Sequence, residues 1–85
     1  MNIVFAPDAW EDFLLWQSQH WKTVKRINSL IEDIVRNGHE GIGKPEPLRS
    51  EYHGYWSRRI NDEHRLVYQL TEDRVLIASC RLHYN

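Results

Sequence analysis

Glu46 stands between Pro45 and Pro47 in the stretch K-P-E-P-L, which is an unusually stiff way to hold a surface carboxylate. Each proline fixes its own φ and pushes the residue before it toward extended backbone, so Lys44 and Glu46 are both expected to be extended. The same pattern also serves simply to rigidify a connector. Further along, Arg59 and Arg65 flank the short stretch Asn61-Asp62-Glu63, and His83 lies near the C-terminus. Two guanidiniums suit phosphate oxygens, and an imidazole exchanges protons near neutral pH. The alternative for the arginines is an ordinary surface ion pair with Asp62, Glu63 or Glu51, worth roughly 0–1 kcal/mol.

A constrained carboxylate, paired arginines and a histidine supply a base, an anion clamp and an acid. That set fits phosphodiester cleavage by an internal ribose 2′-hydroxyl. Glu46 would take the 2′-OH proton, Arg65 with Arg59 would hold the charge growing on phosphorus, and His83 would protonate the departing 5′ oxygen. The route needs no metal, and none is expected. Cys80 is the lone cysteine, and His20, His39, His53, His64 and His83 include no pair at the spacing of a helical metal motif. No cofactor is expected either.

The elements that must position these groups are short, because 85 residues leave room for one domain, residues 1–85. Composition is ordinary for a globular protein, at 41% hydrophobic and 27% charged. No apolar run approaches the roughly 20 residues of a membrane span, and the first residues lack a secretory signal, so a cytoplasmic address with no membrane partner is the expectation. A net charge of −1 gives no global attraction to nucleic acid, so any basic surface is local.

Asn2–Phe5 reads as a short strand. Pro7 then suits a first helical position, with Asp8, Glu11 and Asp12 in the first turn, and the helix is expected to run to about Gln17. Its apolar stripe is expected at Trp10, Phe13 and Leu14, with Gln17 at the fourth position and Trp16 beside it; core packing is expected for Trp10 and Trp56. A second helix over Trp21 to Asn37 places Val24, Ile27, Ile31 and Ile34 on one side with Leu30 beside them, and Asn37-Gly38 stops it.

Residues 38 to 54 form a long connector rich in glycine and proline. Tyr55–Ile60, His64–Leu70 and Arg74–Leu82 then read as an antiparallel meander. With an odd number of residues in both turns, opposed positions share parity. One face would carry Trp56, Ile60, Leu66, Tyr68, Leu70, Leu76, Ala78, Cys80 and Leu82 as core, with Arg58 as a misfit. The other would carry Ser57, Arg59, Arg65, Val67, Ser79, Arg81 and His83, with Arg59 directly opposite Arg65.

The stretch G-I-G-K-P-E-P-L-R-S-E-Y-H-G-Y-W-S-R-R-I-N-D-E-H-R-L-V-Y-Q-L, with the end C-R-L-H-Y-N, resembles the Txe/YoeB family within the RelE-like superfamily of toxins. The W-E-D-F-L-L-W-Q and R-I-N-S-L-I-E-D-I helices belong to the resemblance, which covers essentially the whole chain. It implies an α+β RelE-like fold, in which an N-terminal short strand and a two-helix hairpin pack on a small twisted antiparallel sheet. It further implies a type II toxin that is a ribosome-dependent mRNA endonuclease: an endoribonuclease cutting mRNA in the A site of the small ribosomal subunit, against ribosomal RNA. A YefM/Phd-type antitoxin would neutralise it, DNA would be met only through the antitoxin complex, and a homodimer is compatible with the four tryptophans.

By the same resemblance the general base falls on Glu46, the general acid on His83, the transition-state arginine on Arg65 and a supporting one on Arg59. The tyrosine that orders the site falls on Tyr84, and Lys44, Arg49, Arg59, Arg65 and Arg81 would contact RNA. Arg49 stands where the family often has lysine, and Asn85 extends past the usual terminal tyrosine. Two rivals are a non-enzymatic ParE-like toxin that binds gyrase and a plain RNA-binding module that stacks bases on Trp56 and Tyr84.

Overall fold

The computed structural model describes residues 1–82. The chain runs β1 (Asn2–Phe5), α1 (Pro7–Gln19), α2 (Trp21–Asn37), β2 (Glu46–Pro47), a 3₁₀ turn (Ser50–Tyr52), β3 (Trp56–Arg59), β4 (Arg65–Leu70) and β5 (Arg74–Ser79). One five-stranded sheet has the order β1-β5-β4-β3-β2. β2 to β5 pair antiparallel, whereas β1 joins β5 in parallel, so the sheet is mixed rather than wholly antiparallel. No helix among the described residues is long and apolar enough to cross a membrane.

Pro7 opens α1 because its missing N–H would be an orphan there in any case. The buried positions of α1 are Ala9, Phe13 and Trp16, spaced i, i+4, i+7. The expected stripe was rotated from this: Trp10 and Leu14 are 45% and 44% exposed. The small Ala9 lets α1 approach closely, with the Cys80 thiol 3.5 Å from the Ala9 carbonyl oxygen. Trp10 is left leaning on Phe5 and Phe13 at the margin of the core. Only His20 separates α1 from α2. On α2 the expected stripe is the buried one: Ile27, Leu30 and Ile34 are at most 1% exposed, each contributing about 1.5–3 kcal/mol of burial. Gly38, at φ 67, ends α2 with its N–H donating to the Ile34 carbonyl.

Opposed positions keep their parity across β3 and β4, and Arg59 faces Arg65 as the three-residue turn requires. Asn61 builds that turn, its side-chain oxygen accepting from the Glu63 and His64 amides at 2.9 and 2.8 Å. The β4–β5 turn is different. Leu70 pairs with Val75, and Thr71 closes on Arg74 around the two residues Glu72 and Asp73. This even loop exchanges the faces, so Val75 and Ile77 are buried while Leu76 and Ala78 are only partly so. A bulge then restores the original parity: Val67 pairs with Ser79 and Tyr68 with Ile77, leaving Ala78 unmatched. Cys80 therefore returns to the core, while Leu82 is 56% exposed.

Candidate active site

The misfit Arg58 explains how the connector reaches the sheet. Its side chain is fully buried between the sheet, α2 and the connector, and all five N–H donors are used. Nε donates to the Tyr68 hydroxyl at 3.3 Å, Nη1 to the Asp33 carboxylate and to the Ile42 carbonyl at 3.1 Å, and Nη2 to the Gly38 and Glu40 carbonyls at 2.7 and 3.0 Å. Asp33 also accepts from the Ile42 amide at 3.0 Å and from Asn37. The Arg58 guanidinium holds the Asp33 carboxyl below the usual carboxylate range. His39 stacks on Trp56 with ring centroids 3.9 Å apart, and burial pushes its pKa down, helped by Arg58.

The connector lies so close that a Cβ on Gly43 would come within 2.7 Å of Leu30 and 3.1 Å of the Arg58 Cβ. Gly43 sits at φ +83, and its carbonyl accepts from the Arg59 amide. Directly after it, Lys44 has φ 52, so the extended conformation expected before Pro45 is not adopted there. The chain must leave the crowded contact at Gly43 by a sharp turn, and that requirement overrides the local preference. Glu46 then pairs with Ser57, and Pro47 with Trp56, as the edge strand of the sheet. An edge position accommodates a proline, which has no N–H to donate. Glu46 is thus placed on a strand within what the sequence suggested was irregular connector.

Alternation places the odd residues of β3 and β4 on the face turned away from the helices. Glu46, Ser57, Val67 and Ser79 run across it in one row of pairings. Ser57, Val67 and Ser79 are buried, small side chains forming a floor. Glu46 is exposed at one end of that row. Arg59 is its diagonal neighbour, a relation that puts residues about 7–8 Å apart with their Cβ atoms somewhat closer, and Arg65 lies opposite Arg59. The like-charge clash between the two is relieved because Arg65 turns Nη1 onto the carbonyls of Asn61, His64 and Asp62, at 2.7, 3.1 and 3.3 Å. Among the described residues the ion pairs are Arg58–Asp33 and the His64–Glu63 contact, so Arg59 and Arg65 have no carboxylate partner there.

Residues 79–82, the last of the described chain, are tied down one by one. The Asp12 carboxylate accepts from the Cys80 amide at 3.3 Å, and Trp16 Nε1 donates to the Cys80 carbonyl at 2.8 Å. Ser79 Oγ donates to the Arg81 carbonyl at 3.2 Å. The Arg65 amide donates to the Leu82 carbonyl at 2.8 Å, and the Leu82 amide donates to His64 Nδ1 at 2.8 Å. Burial pushes the Asp12 carboxyl up, and it pushes the Cys80 thiol up to about 12, which makes that thiol inert at neutral pH. His83 and Tyr84 lie outside the described residues.

The fold therefore brings Glu46, Arg59 and Arg65 to one face. Lys44 and Arg49 are exposed on either side of β2. Arg81 lies beyond the end of β5 and is exposed, and its positive charge acts on Asp12 of α1. Arg58, Asp33 and His64 were missed as working residues. A charge at an inward strand position was the available signal for Arg58, since a buried guanidinium requires partners.

Residues 5–84 match the family described as YoeB-like toxin of bacterial type II toxin-antitoxin system. Toxin YoeB of Escherichia coli strain K12 is 51% identical over 84 residues, which is 99% of this chain and 100% of that protein. The YoeB dimer from Staphylococcus aureus superposes with a TM-score of 0.94 at 54% identity, covering 99% of this chain and 98% of that one. A chain of the heterotetrameric YoeB-YefM toxin-antitoxin complex from Staphylococcus aureus does so with a TM-score of 0.93 at 54% identity and the same coverage. Matched over nearly its whole length by family, sequence and fold, the chain belongs to the YoeB-like toxins of bacterial type II toxin-antitoxin systems.

Proposed function

We propose that this toxin is a ribosome-dependent endoribonuclease that cuts mRNA in the A site, and that a YefM-type antitoxin neutralises it. The observation that carries this reading is the shared sheet face of Glu46, Arg59 and Arg65, with Leu82 tied to the backbone of Arg65. Glu46 on β2 and the segment bonded to the far side of β4 stand three strand positions apart, about 14 Å at the usual spacing. A base and an acid must flank the phosphorus, and the two arginine-bearing strands lie between these positions. Glu46 removes the 2′-OH proton, Arg65 and Arg59 stabilise the pentacoordinate phosphorane, His83 protonates the 5′ oxygen, and Tyr84 orders the site. The ribosome supplies the remaining constraint by holding the mRNA backbone in line.

Base and acid each typically contribute about 10²–10⁴-fold, and one charge-stabilising donor about 2.7–4 kcal/mol. A YefM partner, as in the Staphylococcus aureus complex, would act by covering this face or its rim. The test is a translation extract. The native chain yields truncated mRNA, whereas Glu46→Ala and His83→Ala leave it intact; equal cutting by all three overturns the assignment.

A further inference from the structure

We propose that His64 is a positioning residue for the general acid: its imidazole fixes the Leu82 N–H and so holds the bend at Leu82 that precedes His83. The inference rests on the reading of His83 as acid. Leu82 has φ 63, a left-handed conformation that leucine seldom adopts, and its side chain is 56% exposed. Burial of that side chain therefore cannot hold the bend. Two backbone bonds hold it instead, Arg65 N–H to the Leu82 carbonyl and Leu82 N–H to His64 Nδ1, each 2.8 Å. The first registers the tail to the arginine that holds the phosphate. The second is the side-chain contribution: it fixes the Arg81–Leu82 peptide, so that the peptides on both sides of the Leu82 Cα are set and the left-handed bend between them is held.

A backbone amide can only donate, so His64 Nδ1 must be the acceptor and the ring proton belongs on Nε2. Nε2 lies 3.7 Å from the Glu63 carboxylate, which favours the proton on that nitrogen. The ring itself is held rigidly. It is 8% exposed as a residue and packs edge-on against Trp16 with centroids 4.7 Å apart. Its backbone is fixed by the Asn61 side chain and by the Ile60 amide, which donates to the His64 carbonyl at 3.0 Å. An acceptor this well supported is a template on which an otherwise exposed segment takes one conformation.

The test uses the full chain, released from its antitoxin, and compares wild type with His64→Phe and His64→Asn. Phenylalanine keeps the packing on Trp16 and removes the acceptor; asparagine offers an oxygen near the Nδ1 position. In wild type, ¹⁵N spectra should show His64 as the Nε2–H tautomer with a coupling across the bond to the Leu82 amide. His64→Phe should raise exchange of the Leu82 amide by about tenfold or more while the core amides stay protected. It should lower single-turnover mRNA cleavage by up to about 10²-fold at unchanged ribosome affinity, the size expected of a misplaced catalytic group. His64→Asn should recover both.

A wild-type ring protonated on Nδ1 overturns the inference without any variant, which covers the case in which His64→Phe does not fold. Full cleavage by folded His64→Phe, with His83→Ala inactive, also overturns it and leaves the catalytic reading standing. Cleavage that survives His83→Ala overturns the catalytic reading instead, and the Leu82 exchange rates still report on His64.

Discussion

The two ends of the candidate site are held by different physics. At the base end, a fully buried guanidinium ties the five connector residues 38–42 to α2 through one carboxylate and three carbonyls. At the tail end, residues 80 to 82 are held by single hydrogen bonds, donated by Trp16 and the Arg65 backbone and accepted by Asp12 and His64, none between two full charges. A buried charge tolerates no loss of partners, because the desolvation penalty then stands uncompensated. Single hydrogen bonds of this kind are worth about 1 kcal/mol each, or about 1.5–3 where the Asp12 carboxylate accepts, and are lost one at a time. The base end should thus fail with the fold, and the tail end should fail in activity first.

The largest effect expected of that contrast is on Arg58. Arg58→Met should destabilise the chain by about 3 kcal/mol in denaturant unfolding, the low end for a broken buried pair because Asp33 keeps some solvent. Cleavage should vanish with it. A loss confined to activity would show that the base end is held no differently from the tail. Gly43→Ala should cost about 1–3 kcal/mol, combining the positive φ with the 2.7 Å approach to Leu30. On the other side, Trp16→Phe leaves the buried Cys80 carbonyl without its donor and should cost about 1–3 kcal/mol, with a proportionally greater fall in single-turnover cleavage.

Acid titration separates the ends in a second way. His39 and Asp33 both have folded pKa values below their unfolded ones, so the unfolded chain binds more protons and their contribution to stability is lost as pH falls. For His39 the loss begins below about 6.5, and for Asp33 below about 3.9. Asp12 is shifted upward, so its contribution has the opposite sign and strengthens as pH falls through its folded pKa. Unfolding followed from pH 7 toward about pH 5 should therefore show declining stability that His39→Gln removes; an unchanged slope in that variant would take the connector out of the account. The smallest stability effect belongs to Arg59→Gln, within about 0.5 kcal/mol because the side chain is exposed and faces a like charge. Its cleavage should still fall.

Much of the fold was legible because it depends on local rules. Pro7 and Gly38 bound the helices, the period of Ile27, Ile31 and Ile34 marks the buried side of α2, and the three-residue turn sets Arg59 opposite Arg65. The rotation of α1 was not legible. Ala9 is a weak hydrophobic signal beside Trp10, and it wins because its small size admits the Cys80 strand end. For β5 the alternating pattern was equally compatible with Leu76 and Ala78 inside or Val75 and Ile77 inside. The two-residue turn and the bulge at Ala78 chose between them, and no neighbouring residue announces either.

By itself the sequence determined the two helices and the opposition of two arginines, since each follows from side-chain type or from counting residues between near neighbours. Tertiary structure alone decided that Arg58 is an internal anchor, that Lys44 takes a left-handed turn, and that Leu82 is held by His64. Those outcomes depend on contacts between residues 18 to 25 positions apart, or on space left by a packed helix. Distances of that kind are set only when the sheet and helices have closed on one another.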